Sequence, residues 1–195
     1  MSITLLKSIL QGYLYPTELA HSAIARMKAE IHSNDKKVSE YAINSMRMAI
    51  IKAYLLRNTH YTREMITVSL NPDWKDTAYL LGRLFAICEK IQDDASSGNT
   101  TIKERYFSSA STTPASIFPS VIKLAHVYLP KIDKPPFRIT REKQLGDVMN
   151  MLEAKPFPKN LPFEEQNVFI LGYYHQMKAF FTKNTNIDEE NNNAD

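Results

Sequence analysis

The chain has 195 residues (22.4 kDa), about the size of one domain, with 44% hydrophobic and 23% charged residues, proportions that allow a folded core. They exclude wholesale disorder, a collagen-like fibre and, with a single cysteine, a disulfide scaffold; that cysteine usage fits a reducing cytoplasm, the expected location. No apolar run approaches the roughly 18–20 residues needed to cross a bilayer, and MSITLLKSIL is too short and mixed for a secretory signal. The net charge is +3, and glycine numbers 5 where average usage gives about 14, which argues against hairpin-rich β structure and glycine-loop nucleotide sites.

The elements read in chain order as helices. Residues 1–11 form a short amphipathic helix through Ile3, Leu6 and Leu10, broken by Gly12 and Pro16. Thr17 caps a second helix to about Ile31, with Leu19, Ala23 and Met27 on one face. A third spans about 38–58, with Ala42, Met46, Ala49, Ile50, Ala53 and Leu56 on its apolar stripe and Arg47, Lys52 and Arg57 stepping around the flank. Residues 62–69 are β-branched in part (Ile66, Thr67, Val68) and read as a strand or an extended linker.

Asn71-Pro72 then reads as an N-cap with proline in the first turn. The helix over about 76–95 is apolar on most sides through Leu80, Leu81, Leu84, Phe85, Ile87, Cys88 and Ile91, the mark of a central element. Thr101 and Glu104 have capping-box spacing and open a helix that buries Ile102, Tyr106 and Phe107. After the small polar stretch 108–113, Thr113-Pro114 starts a helix to Leu129, with a possible restart at Pro119. Residues 130–138 read as a proline-punctuated basic connection, 140–154 as a helix, and 156–162 as a stiff proline linker. A last helix runs over about 163–182. Phe163, Phe169, Tyr173, Phe180 and Phe181 form its aromatic stripe, for which core packing is the default. The division is thus 1–75, an N-terminal helical segment; 76–183, a core helical bundle; and 184–195, a disordered tail. The fold class expected is all-α, with seven to eight helices.

Charge is uneven along this chain. The tail 184–195 carries Asp188, Glu189, Glu190 and Asp195 and no lysine or arginine; the rest of the chain has 24 bases against 17 acids. Residues 36–63 hold six bases against Glu40 alone, and 100–143 hold eight against Glu104, Asp133 and Glu142. Clustered positive charge attracts phosphate backbones, although scattered surface lysines are the plainer account. Tyr79 beside Arg83, and Tyr106 beside Arg105, pair an aromatic with a base as single-strand binders do; a tyrosine tucked at the core edge is the alternative for each.

No catalytic constellation stands out. The five histidines, His21, His32, His60, His126 and His175, are scattered with no HExxH pair, and no metal site is expected. Cys88 lies in the most apolar helix, where a thiol is inert. Asp93 and Asp94 are adjacent, so their side chains diverge by about 100° on a helix and share an ion poorly. With no Walker loop, dinucleotide fingerprint or GxSxG elbow, neither an enzyme nor a cofactor is expected.

Two long strings carry a family resemblance. AYLLGRLFAICEKIQDDA at 78–95 and NTTIKERYFSSASTTPASIFP at 99–119 resemble the C-terminal region of the large subunit of the type I-C CRISPR Cascade. FEEQNVFILGYYHQ at 163–176 resembles the end of that region, and YPTELAHSAIARMK at 15–28 and RMAIIKAYLLR at 47–57 the part just before it. The resemblance covers about 5–181. In that family the C-terminal part is also made from an internal start as a separate small subunit, and a chain beginning at Met1 looks like such a product, an excised large-subunit domain being the other reading. The resemblance implies a non-catalytic helical bundle that braces the guide-RNA backbone subunits and holds the displaced DNA strand. The partners it implies are those backbone subunits, the large subunit, adjacent copies of itself, guide RNA, and target and non-target DNA; no membrane and no small-molecule substrate. PAM recognition, which belongs to the large subunit's N-terminal part, is not carried over.

A displaced strand is gripped through its backbone by a basic track. Arg47, Lys52 and Arg57 on one helix, with Arg83, Lys90, Lys103 and Arg105 on the next two, are the residues expected to form it. A purely structural spacer that touches only protein is the competing reading, and an enzyme with an unrecognised site a third.

Overall fold

The computed structural model describes residues 45, 46, 48, 49, 51–53, 55, 56, 69–96 and 102–181. The helices expected over 1–11 and 17–31, residues 62–68 of the extended segment, and the tail 184–195 lie outside the described residues. Those described are helical with no strand, so the fold is all-α as the sequence implies. Described positions between 45 and 56 are helical, and the chain then forms α1 (Thr77–Ala95), α2 (Ile102–Thr112), α3 (Pro114–Tyr128), a 3-10 turn (Leu129–Lys131), α4 (Pro135–Met151) and α5 (Phe163–Phe181).

Several boundaries differ from the sequence reading, each for a local reason. The cap of α1 is Asp76, whose Oδ1 accepts the Tyr79 N–H at 3.0 Å. Asn71 instead closes its own turn, its Oδ1 accepting the Asp73 N–H at 3.1 Å. At the start of α2 the Gln92 carboxamide, reaching from α1, accepts the Ile102 N–H at 2.7 Å; Thr101 lies outside the described residues. The polar stretch 108–112 continues α2, because its hydroxyls bond back onto the helix: Ser111 Oγ donates to the Ser108 carbonyl at 2.8 Å and Thr112 Oγ1 to the same carbonyl at 3.1 Å. Helix α3 passes through Pro119 without restarting, with that ring on the exposed side. Helix α4 starts at Pro135, five residues before the expected Thr140, since Pro135 and Pro136 fill a first turn whose N–H groups need no partner. Beyond its end, Glu153 and Ala154 take left-handed backbone (φ 55° and 54°) and turn the chain.

The helices alternate in direction. Arg83 meets Met151 while Asp94 meets Arg141, so α4 runs antiparallel to α1. Lys103 meets Tyr173 while the Leu161 N–H reaches the Thr112 carbonyl, so α2 runs antiparallel to α5. Helix α1 is the spine: residues 78–89 are buried without interruption, with α5 as its main neighbour and α2, α3 and α4 around it. Two glycines make the α1–α5 approach possible. A Cβ on Gly82 would meet the Phe169 carbonyl and Tyr173 N, and one on Gly172 would meet the Tyr79 carbonyl, all main chain.

Apolar burial then follows. Phe85 stands edge-on to Phe107, Phe118, Phe169 and Tyr173, with ring centroids 5.5–6.4 Å apart. Met48, Ile51 and Leu55 join the same core, so the described residues between 45 and 56 dock on the bundle. Of the aromatic stripe expected on α5, Phe169 and Tyr173 are core, whereas Phe163 is 60% exposed because it opens the helix at the bundle's end.

Candidate nucleic-acid interface

Of the seven residues expected to form a basic track, five are described, and they differ in burial and partners. Arg47 and Arg57 lie outside the described residues. Lys52 is half-buried, and its ammonium is lowered to about 8 by burial first and by Lys178 on α5 second. Arg83 is a core residue at 6% exposure. Its Nε donates to Gln176 Oε1 at 3.2 Å and its Nη1 lies 3.9 Å from Met151 Sδ; burial lowers its pKa, opposed by Tyr79 and Asp147. The expectation that Arg83 joins a surface track fails because both sides of its helix are buried.

Lys90 is engaged one turn along, its Nζ pairing with Asp94 at 2.6 Å. Lys103 lies over the Tyr173 ring, 4.9 Å from the centroid, while the Tyr173 hydroxyl donates to buried Glu89 at 2.7 Å. Arg105 is exposed, with its guanidinium 5.6 Å from the Tyr106 ring centre. Of the described track residues, Arg105 alone is fully presented to solvent.

Tyr79, whose pairing with Arg83 suggested base stacking, is completely buried under Trp74, ring centroids 4.3 Å apart. Its hydroxyl accepts the Asn71 N–H at 3.1 Å and shares a hydrogen bond with His175 Nδ1 at 2.9 Å. The other ring nitrogen, Nε2, has no hydrogen-bond partner among the described residues. Burial, with Lys52 and Lys178 nearby, lowers His175 to about 3 and keeps it uncharged. Cys88 is fully buried and its thiol is pushed up to about 12 by burial. Asp94, the candidate metal partner of Asp93, is taken up by Lys90 and by Arg141 Nε at 2.8 Å; among the described residues no group of three metal-binding side chains gathers.

Exposed bases elsewhere include Lys123 on α3, Lys131 in the 3-10 turn, Lys134 and Arg138 at the start of α4 and Lys143 midway along it; Lys75, Lys155 and Lys159 are exposed as well. Residues 133–140 are exposed at every position, on all sides of a helix, so this end of α4 projects beyond the bundle. The projection carries apolar side chains too, Phe137 at 50% and Ile139 at 63% exposure. The Lys134 ammonium covers the Phe137 ring at 5.6 Å and Lys131 covers Tyr128 at 4.9 Å. The sequence signal for this surface was the basic run at 130–138, which reads as a connection only if its prolines are taken as breaks. Just behind it, a shallow cavity of about 320 Å³ is lined by Asp93, Asp94, Ile132, Asp133, Lys134 and Phe137.

No helix among the described residues is long and apolar enough to cross a membrane. No curated protein sequence matches the chain significantly. The family model for CRISPR-associated protein (Cas_Csd1) matches residues 1–181, the whole of the bundle and the sequence before it. The all-helical architecture and the length of that match settle the affiliation: the chain belongs to the Cas_Csd1 family of CRISPR-associated proteins, and through it to a CRISPR-Cas system.

Proposed function

We propose that this chain acts as a non-catalytic helical subunit of a type I-C Cascade effector complex, in the manner of its small subunit. In this reading it braces the backbone subunits that carry the guide RNA and steadies the R-loop by holding the displaced non-target strand. The observation that carries the reading is the conjunction of Cas_Csd1 membership with exposed bases from Arg105 to Lys143 on three successive helices and the turn between them. A strand held through its phosphates needs such a surface and no base-edge code. Arg105, Lys123, Lys131, Lys134, Arg138 and Lys143 are the described residues suited to it. Arg83, Lys90 and Lys103 serve the bundle.

The test is R-loop formation by the other Cascade subunits with and without this chain, following a labelled non-target strand across a salt series. The reading expects unstable R-loops without the chain and recovery on its addition. Recovery brings a salt slope steeper by about 0.7 per phosphate contact for single-stranded DNA. Unchanged R-loop stability and slope, with the chain still co-purifying, would leave a spacer role. Exposed Phe137 and Ile139 favour that second reading, since apolar surface of this kind meets protein.

A further inference from the structure

Arg83 is buried inside the bundle with few acceptors for its guanidinium. Of its N–H donors, Nε reaches Gln176 Oε1 at 3.2 Å and Nη1 reaches Met151 Sδ at 3.9 Å; these are its acceptors among the described residues. Asp147, one turn before Met151 on α4, acts on Arg83 through space but forms no ion pair with it. A thioether is a weak acceptor, and a guanidinium so far from water gains most from a strong one. Met151 is the last residue of α4, just ahead of the left-handed turn at Glu153 and Ala154, and is only partly covered. A partly exposed, nucleophilic sulfur thus lies against a buried cation.

Oxidation of that sulfur supplies the stronger acceptor. Its lone pair attacks the terminal oxygen of a hydroperoxide: an S–O bond forms, the O–O bond breaks, and the other oxygen leaves with the proton as water or an alcohol. Sulfur loses two electrons and the peroxide gains them. An S–O bond of about 1.5 Å and an N–H···O distance of about 2.9 Å, meeting at about 120°, set sulfur and nitrogen about 3.9 Å apart. That separation already exists between Met151 Sδ and Arg83 Nη1, so the oxygen fits with neither helix displaced. A sulfoxide usually loosens a core by placing a polar group in it, whereas here the oxygen meets a buried donor. Met149 is also partly exposed but meets no such donor among the described residues, and Met48 and Met177 are buried. We propose that Met151 is a site of modification by hydroperoxides, whose sulfoxide accepts from Arg83 and ties the end of α4 more firmly to α1.

The experiment treats the full chain with dilute hydrogen peroxide and needs no nucleic acid, so its outcome is independent of the function proposed above. Peptide mass spectrometry of the folded chain should find Met151 oxidised while Met48 and Met177 stay reduced. Thermal unfolding then reads the consequence. Treated minus untreated, the change in Tm should be about 2–4 °C more positive in the parent than in Met151→Leu, a difference that cancels the effect of the other methionines. In Arg83→Leu the sulfoxide meets an apolar side chain, and treatment should lower Tm. Should that variant fail to fold, Met151→Gln places an amide oxygen near Arg83 without peroxide and should unfold at a higher temperature than Met151→Leu. Met151 left reduced in the folded chain, or equal changes in the parent and Met151→Leu, would overturn the assignment. So would Met151→Gln no more stable than Met151→Leu.

Discussion

Gly82 offers the sharpest test of how the bundle is held. Alanine there raises helix propensity by about 0.8–1 kcal/mol. It also places a Cβ 2.7 Å from Tyr173 N and closer still to the Phe169 carbonyl, where no rotamer change gives relief because the obstacle is main chain. Overpacking of a tight core costs about 1–3 kcal/mol and sometimes more, and a backbone obstacle belongs at the upper end. Moving α5 away would also stretch the Tyr79–His175 and Arg83–Gln176 bonds within one turn of the crossing. The net expectation for Gly82→Ala is a loss of at least about 2 kcal/mol, or roughly 4–8 °C in Tm at this chain length. Gly146→Ala is the control: it lies on the exposed side of α4 with nothing within 4 Å of the added carbon, so only the propensity gain of up to about 1 kcal/mol remains. Thermal unfolding followed by circular dichroism reads both. The reasoning fails if Gly82→Ala is as stable as the parent, or if the two substitutions shift Tm in the same direction.

Other expectations follow from the buried polar groups. His175 is neutral in the fold down to about pH 3, whereas the unfolded chain takes up its proton near 6.5. The unfolded state therefore binds more protons between these values. This contribution is intact above pH 6.5 and falls as pH drops toward 3, with a limiting slope of about 1.4 kcal/mol per pH unit. Urea unfolding between pH 7.5 and 5 should show that slope flattened in His175→Gln, and parallel curves would contradict it. Arg141→Ala removes the Asp94 pair, the bond to Gln144 Oε1 and the cover over Phe180, and should cost about 2 kcal/mol in the same assay. Arg141→Lys should recover less than half, because an ammonium lacks the planar fork; full recovery would mean that charge alone matters. Cys88 should resist a thiol reagent at pH 8 until the bundle unfolds, and rapid labelling of the native chain would show the core to be open.

The sequence exposed the strong periodic elements and hid the exceptions. Helix α1 was legible because apolar residues appear on most of its circumference, and α5 because its aromatics recur at helical spacing. The same pattern carried a warning about Arg83: a base inside LLGRLF is flanked by core on both sides, and its partner, Gln176, is 93 positions away, beyond any local rule. Lys90 and Lys103 also have partners within the bundle. One is held by Asp94 at i+4, which local spacing does offer; the other lies over Tyr173, which it does not. Prolines caused the boundary errors. Pro135 and Pro136 begin a helix and Pro119 sits within one, so reading each as a break conceals that Lys134, Phe137 and Arg138 belong to a single projecting helical end.

That projection also shows how the charges of this bundle are sorted. Helices α1 and α5 end on the same side, where Arg141 bridges Asp94 and Phe180. Asp94 so far down α1 is unfavourable next to that helix's negative C-terminal pole. Lys90 and Arg141 offset it through their ion pairs with its carboxylate. Beyond them Lys131, Lys134 and Arg138 form no ion pair among the described residues, Lys134 lining one cavity with Asp93, Asp94 and Asp133, and the double-proline start of α4 leaves all three exposed. The first turns of α4 thus combine exposed bases, Lys134 and Arg138, with exposed apolar side chains, Phe137 and Ile139, because this end of the helix projects past the neighbours that bury the rest of it.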